Sequence, residues 1–287
     1  MECVGMKNNR VLYVLVAVYA LLQGLIFVTK TGVVALPDGV FPAPLVLILT
    51  SIAFVHGIQR YGWKNMMAFF GITLVVSFSL ESLSIATGFP FGHYHYSDGL
   101  GIKLGTVPLL IIPAYFSFGY LAWTLASGLT LNFGRKLERS AVFLVPLVAA
   151  FAMVMWDLTM DPVSATIQQR WIWEQGGAYM GVPYSNFLGW YLTVFLIFQI
   201  FAFIVHSSRH PRLKTKDGPS TWYTAVIVYA LTALQTVVTP LVTRGNPEIY
   251  QNMSLVALFT MMFISVLTFI LVRKDVRYPR SSPHRAP

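Results

Sequence analysis

A succession of about eight long apolar runs restricts the fold of this chain more than any other feature. Each run is long enough, or nearly so, to cross the roughly 30 Å hydrocarbon core of a bilayer. Only 11% of the residues are charged, whereas soluble domains carry about 25%. The runs lie near residues 11–29, 42–59, 66–87, 106–128, 141–160, 187–206, 222–243 and 252–272. The sequence therefore predicts an all-α, polytopic membrane helix bundle with about eight transmembrane helices.

The basic residues predict how this bundle is oriented. With the N-terminus inside, the inner segments carry sixteen Lys and Arg residues and the outer loops carry four. Positive charge is enriched on the cytoplasmic side, so both termini are predicted to be cytoplasmic, in a bacterial or archaeal cytoplasmic membrane. Orientation and attraction to anionic lipid explain the net charge of +9. Since no basic domain lies outside the loops, no nucleic-acid partner is predicted.

The two ends of the chain complete the predicted domain organisation. Residues 1–272 are expected to form one transmembrane domain, and residues 273–287 a basic, disordered cytoplasmic tail. The first apolar run follows Lys7 and Arg10 but is longer than the apolar part of a signal peptide, so we expect an uncleaved span. The single cysteine, Cys3, excludes an intrachain disulfide and a metal site built from cysteines.

Glu81 lies within the third apolar run. The spacing of Ser77, Glu81, Ser84 and Gly88 puts them on one helix face, which we expect to point into the bundle. An ionisable group is costly to hold in a bilayer, and its default interpretation is functional. The alternative is a buried, hydrogen-bonded acid with a structural role only.

Two further acids, Asp157 and Asp161, lie four residues apart at the end of the fifth run. This spacing places them on one helix face, in the same outer leaflet as Glu81. Taken alone, Asp161 could simply end a helix in the headgroup region, because Pro162 follows it. The three acids together predict a site of acid chemistry at the outer half of the bilayer.

Two outer loops, residues 88–99 and 162–186, are rich in aromatic residues and glycine. This composition is typical of an aromatic belt at the membrane surface, and equally of ordered turns that cap a cavity. His93 and His95 would face one side of a strand-like hairpin, as metal ligands sometimes do. Two histidines are a weak signal beside interleaved tyrosines, so no metal is predicted and any role for them stays open.

The acids suit chemistry on an alkene. One carboxylic acid could protonate a double bond, and a second, ionised carboxylate could stabilise the resulting tertiary carbocation and deprotonate a water molecule. Aromatic faces would add cation–π stabilisation. Capture by water gives hydration, whereas capture by an internal alkene gives proton-initiated terpenoid cyclisation, and spacing does not separate the two.

Two other classes of protein fit less well. Prenyl diphosphate chemistry usually needs clustered Asp residues with Mg²⁺, and Asp157-x-x-x-Asp161 lacks an adjacent pair. A non-enzymatic isoprenoid-binding or transport protein is a second alternative to hydration. Transporters often contain internal repeats, and the sequence has none that we detect.

A set of short motifs lies between residues 80 and 190. They are Glu81, Thr87-Gly88-Phe89-Pro90-Phe91-Gly92-x-Tyr94-x-Tyr96, Asp157-x-x-x-Asp161-Pro162, Trp171-x-Trp173, Gly177-x-Tyr179-x-Gly181-x-Pro183 and Asn186-Phe187-x-Gly189-Trp190. As a set, these motifs resemble the carotenoid biosynthesis protein family of membrane carotenoid hydratases, the bisanhydrobacterioruberin hydratases among them. The remaining spans match this family only in their hydropathy.

The resemblance implies addition of water to the terminal double bond of an acyclic carotenoid, to give a tertiary alcohol, without a cofactor. It implies that Glu81, Asp157 and Asp161 are the proton donor, the cation stabiliser and the water-activating base, in an order left open. The residues implied to shape the pocket mouth are Tyr94, Tyr96, Trp173, Tyr179, Asn186 and Trp190. The sequence departs from the family pattern at Tyr115, where a tryptophan is expected, and this departure leaves the identity of the carotenoid open.

Overall fold

The computed structural model describes residues 2–34, 36, 40–208, 213, 217–243, 245 and 247–277, and this part of the chain is mostly helical. The helices are α1 (Glu2–Lys30), α2 (Pro42–Tyr61), α3 (Trp63–Thr87), α4 (Ile111–Leu129), α5 (Ala141–Asp161), α6 (Tyr184–Ser207), α7 (Pro219–Val238), α8 (Pro247–Ala257) and α9 (Phe263–Arg277). Wider π-type turns extend α5 through Pro162–Ile167 and join α8 to α9 through Leu258–Met262. The joined pair α8–α9 therefore acts as one long segment.

Seven helical segments in the described ranges are long and apolar enough to cross a membrane. They correspond to α1, α2, α3, α5, α6, α7 and the joined α8–α9. Helix α4 is less uniformly apolar because it lies at the centre of the bundle, where Ser117, Thr124 and Ser127 are buried against protein instead of lipid. The prediction of a helical membrane protein is confirmed, with seven to eight long apolar helices. The side on which each end lies stays a prediction.

Two predicted boundaries differ from the structure. The fifth span was expected to end at residue 160, but the helical path continues through Asp161 and Pro162 to Ile167, because the π-type turn accommodates the proline. The disordered tail was expected from residue 273, but α9 continues to Arg277. The rest of that tail lies outside the described residues.

The loops that follow α3 and α5 pair with each other. Strand β1 (Tyr94–Tyr96) pairs antiparallel with β4 (Trp171–Trp173), so that Tyr94 lies opposite Trp173 and Tyr96 opposite Trp171. A second pair, β2 (Lys103–Leu104) and β3 (Val107–Pro108), forms a small hairpin before α4. Because side chains alternate along a strand, Tyr94 and Tyr96 face inward while His95 is exposed. Aromatic loops thus cap one end of the bundle.

Two small contacts fix this cap on the helices. The Ser84 hydroxyl on α3 accepts a hydrogen bond from the Phe91 amide at 3.1 Å and donates to the Gly92 carbonyl at 3.0 Å. On α6, a side chain at Gly189 would meet the Phe91 ring at 2.6 Å and the Pro90 backbone at 2.9 Å. Only glycine therefore lets the turn before β1 lie directly against α6.

Candidate functional site

A cavity of about 320 Å³ lies beneath this cap, between the helices. Its walls come from α1 to α8, from β1 and from β4. Along α1 the lining residues extend from Tyr19 to Lys30, which at about 1.5 Å per residue corresponds to a depth of roughly 16 Å. The cavity therefore reaches well into the bundle.

Glu81 lies on the cavity wall and is buried. Tyr96 donates a hydrogen bond to its Oε2 atom at 2.9 Å, Tyr94 donates to the same atom, and Tyr115 donates to Oε1 at 2.7 Å. An ionised carboxylate offers about four acceptor positions, so three are filled by neutral hydroxyl groups. The free position lies on Oε1.

The tyrosines of β1 are suited to this donor role. Burial, and after it the charge of the neighbouring Glu81, raises the pKa of Tyr94 well above its ordinary value. The same two causes raise the pKa of Tyr96 well above its ordinary value. Both hydroxyl groups therefore stay protonated at any physiological pH and can only donate to the carboxylate that they contact.

Asp157 and Asp161 form a second acidic group around one amide. The Nδ2 atom of Asn186 on α6 donates to Asp157 Oδ2 at 3.1 Å and also to Asp161 Oδ2. Asp161 Oδ1 accepts from Trp171 Nε1 at 2.6 Å. Asp161 lies on the cavity wall, whereas Asp157, one helical turn earlier on α5, does not belong to the described lining. Its Oδ1 atom has no hydrogen-bond partner among the residues that the structure describes.

The pairing of β1 with β4 joins the two acidic groups. Tyr96, which donates to Glu81, packs edge to face on Trp171 at a ring separation of 6.1 Å. Trp171 in turn donates to Asp161. The acids of α3 and α5 are thus connected through one aromatic contact between two loop strands.

Aromatic rings form much of the remaining wall. Tyr115 and Trp190 stack with ring centres 4.2 Å apart and planes inclined by 6°, and Phe118 stacks on Trp156 at 3.9 Å. All four residues line the cavity. The faces of such rings are negative and stabilise a nearby cation. The cavity therefore combines carboxyl groups with surfaces that favour positive charge at carbon.

Most of the residues predicted for the site meet at this cavity. Glu81, Asp161, Tyr94, Tyr96, Trp173, Asn186 and Trp190 all line it. Tyr179 does not belong to the described lining, because its hydroxyl group donates instead to the Leu158 carbonyl at 3.1 Å. Burial raises the pKa of Tyr179 to about 12. His93 and His95 are exposed, and the described residues contain no group of three or more His, Cys, Asp and Glu that could hold a metal.

Sequence reasoning missed three residues of the site. Tyr115 was noted only as a departure from a family pattern, yet it donates to Glu81. Trp171 was read as part of a motif, and its partner Asp161 could not be foreseen. Trp156 stood next to Asp157 without an assigned role, although it lines the cavity. Because the hydrogen bonds of the first two join separate elements, no spacing in the sequence pointed to them.

The model of one protein family, described as "Carotenoid biosynthesis protein", matches residues 41–270. This range contains the three acids and the aromatic residues around them, and it leaves out α1 with its lining residue Tyr19. The chain is 31% identical over 138 residues to a protein of Haloarcula japonica named bisanhydrobacterioruberin hydratase. That similarity covers 48% of this chain and 44% of the relative, so it spans less than half of the relative's length. No solved structure matches the chain.

Proposed function

Because this chain belongs to the carotenoid biosynthesis protein family, we propose that it is a membrane enzyme that hydrates a terminal double bond of an acyclic carotenoid. The product is a tertiary alcohol. The observation that carries this proposal is the convergence of Glu81 and Asp161 on one aromatic-lined cavity within a membrane bundle. The similarity to a protein named as a hydratase supports the same reaction.

The size of the cavity supports reaction at the end of a chain. Pockets that enclose drug-sized ligands measure about 300–1,000 Å³, and this cavity, at about 320 Å³, is at the lower limit. A whole carotenoid is a much longer polyene. Only its terminal unit enters the cavity, and the rest of the chain stays among the helices and lipid.

Asp161 is the proton donor in this proposal. It lies on the wall and shares the Asn186 amide with Asp157. Two carboxyl groups held by the same amide repel each other when both are ionised, so the pair is most stable with one proton between them. Transfer of that proton to the less substituted alkene carbon leaves a tertiary carbocation. Asp157, which does not line the cavity, holds the proton jointly with Asp161 before the transfer.

Glu81 is the base. Its three tyrosine donors satisfy a carboxylate, which stabilises the cation together with the faces of Trp190 and Trp156. A water oxygen forms the new C–O bond, and its O–H bond breaks as Glu81 accepts the proton. One proton leaves the aspartate pair and one arrives at Glu81, so water and alkene are the only net reactants. Exchange between the two acidic groups restores the starting state.

The orientation of the cavity is part of the proposal. The loops that cap it, between α3 and α4 and between α5 and α6, carry few basic residues. Under the positive-inside rule such loops face the outside of a cytoplasmic membrane. Water then reaches the acids from the outer surface, and the carotenoid enters from the bilayer.

Expression in a lycopene-producing host tests the function. Mass analysis of the extracted pigments is expected to show a carotenoid heavier by one water, and its absence from the Glu81→Gln strain assigns it to this protein. A new pigment of unchanged mass would identify a cyclase instead. Unaltered pigment that copurifies with the protein would identify a binding or transport protein. If lycopene is not hydrated, a second host with a longer acyclic carotenoid shows whether the proposed reaction is wrong or only the proposed length of the substrate.

A further inference from the structure

Trp173 carries a hydrogen-bond donor that the protein does not use. Its Nε1 atom is buried and has no partner among the described residues, and the side chain, 9% exposed, lines the cavity. An unpaired buried N–H group costs free energy, and native proteins rarely leave one without an acceptor. The donor therefore calls for an acceptor that enters the cavity.

The position of Trp173 is fixed next to a tyrosine that contacts Glu81. Trp173 lies opposite Tyr94 in the β1–β4 pair, with ring centres 4.7 Å apart. Tyr94 donates to Glu81. The amide of Glu174 donates to the His93 carbonyl at 3.1 Å, which continues this pairing beyond the strand. Backbone pairing and one tyrosine ring thus hold the indole on the Glu81 side of the cavity.

The other tryptophan of the same strand provides an internal comparison. Trp171 and Trp173 are two residues apart, so their side chains leave the same face of β4. The Nε1 atom of Trp171 is bound to Asp161 at 2.6 Å, whereas that of Trp173 is unbound within the described structure. One indole therefore serves the proposed proton donor, and the other is left for a group that is not part of the protein.

We propose that Trp173 Nε1 and the free acceptor position of Glu81 Oε1 together hold the water molecule that attacks the carbocation. This inference rests on the proposed hydration. The water oxygen accepts from the indole, one water hydrogen is donated to Glu81, and the remaining lone pair faces the cation. The C–O bond forms with that lone pair, and the proton moves to Glu81 as its O–H bond breaks.

Such a water site controls whether the cation is captured or reverts. Without the indole donor, protonation by Asp161 still occurs, but the water is no longer held in line. The cation then loses a proton and returns to an alkene. In deuterated water this reversal leaves deuterium in the recovered carotenoid, so protonation and water capture can be measured separately.

The test compares Trp173→Phe with the wild type and with Trp171→Phe, in membranes suspended in deuterated water with the carotenoid that the wild type hydrates. For Trp173→Phe we expect at least about a tenfold loss of alcohol, while deuterium incorporation into recovered alkene persists. For Trp171→Phe, which loses the partner of Asp161, alcohol and deuterium incorporation should fall together. Thermal unfolding in detergent verifies that both variants are folded.

Two results would overturn the water site. Either Trp173→Phe forms alcohol at the wild-type rate, or its alcohol formation and deuterium incorporation fall in parallel, as a role in binding or folding predicts. A wild-type protein that hydrates no carotenoid would instead remove the proposed function and the water site with it. A hydrating wild type with an unaffected Trp173→Phe variant removes the water site alone.

Discussion

Two buried polar clusters lie at opposite ends of the bundle, and they differ in whether the partners of their acids are charged or neutral. At the end where α2 meets α3, Asp217 accepts from Arg60 Nε and from Arg135 Nε, both at 2.6 Å. Arg60 also lies 4.5 Å from the centre of the Trp222 ring. At the other end, Glu81 and the aspartate pair receive hydrogen bonds from hydroxyl, indole and amide groups, all of them neutral.

The difference indicates what each cluster is for. The Arg60–Asp217–Arg135 cluster pairs opposite charges, which offsets the cost of burying them, and a buried pair resists the loss of one member. The described hydrogen-bond donors to the acidic cluster are all neutral, and this cluster borders a cavity. Buried acids held by neutral donors beside a cavity are a pattern of functional sites. The first cluster is therefore interpreted as structural and the second as chemical.

The largest expected effect is the loss of hydration in Glu81→Gln, Asp161→Asn and Asp157→Asn. Removing a general acid or base lowers a rate about 10²- to 10⁴-fold, or about 3–5 kcal/mol of activation free energy. Since these changes delete charges held by neutral partners, stability in detergent should change much less than the rate. Full conversion in the Glu81 and Asp157 variants would show that the chemistry lies elsewhere.

The opposite result is expected for Asp217→Asn, which leaves two arginines without their acid. Breaking a buried ion pair costs about 3–5 kcal/mol, and this should appear as a lower unfolding temperature and poor recovery from the membrane. Any protein that does fold should hydrate its substrate at close to the wild-type rate per molecule, because the cluster is remote from the cavity. A stable but inactive Asp217→Asn variant would show that this cluster takes part in hydration and is not only structural.

The local parts of this architecture follow from the sequence. Apolar runs predict helices because length and hydropathy are properties of one segment, and the face of Ser77, Glu81 and Ser84 is indeed buried. Hydropathy identifies α4 less clearly, because a central helix is covered by protein and can carry polar residues. Arg60 was counted only among the sixteen inner basic residues that orient the protein, although it is buried in an ion pair.

The nonlocal parts could not be predicted. The pairing of Tyr94 with Trp173 joins two loops that are far apart in sequence, and neither strand has more than three residues to reveal it. The prediction grouped Tyr94 with Asn186 at the mouth of a pocket, but each of them contacts an acid directly. Sequence spacing gives the face of a helix, whereas hydrogen bonds between elements depend on how the elements pack.

Tyr115→Phe sharpens the comparison inside the acidic cluster. The change removes one donor to Glu81 and keeps the ring that stacks on Trp190. A hydrogen bond to a charged group contributes about 1.5–3 kcal/mol, so the rate of hydration should fall about 10- to 100-fold. Initial rates in membranes measure this, with pigment retention as a control for binding. A rate equal to that of the wild type would mean that Tyr94 and Tyr96 alone satisfy the carboxylate.

Tyr179→Phe tests whether the acidic cluster extends beyond the cavity wall, and its expected effect on the rate of hydration is the smallest of the set. The resemblance to hydratases implied that Tyr179 shapes the pocket, but its hydroxyl group bonds to the Leu158 carbonyl away from the described lining. Losing this bond should lower stability by about 1 kcal/mol, visible as a small decrease in unfolding temperature, and leave the rate of hydration unchanged within twofold. Because Tyr115→Phe removes the same chemical group, the two variants form a matched pair. A large loss of activity in Tyr179→Phe would mean that the residues needed for hydration extend beyond the cavity wall, to the loop that carries Tyr179.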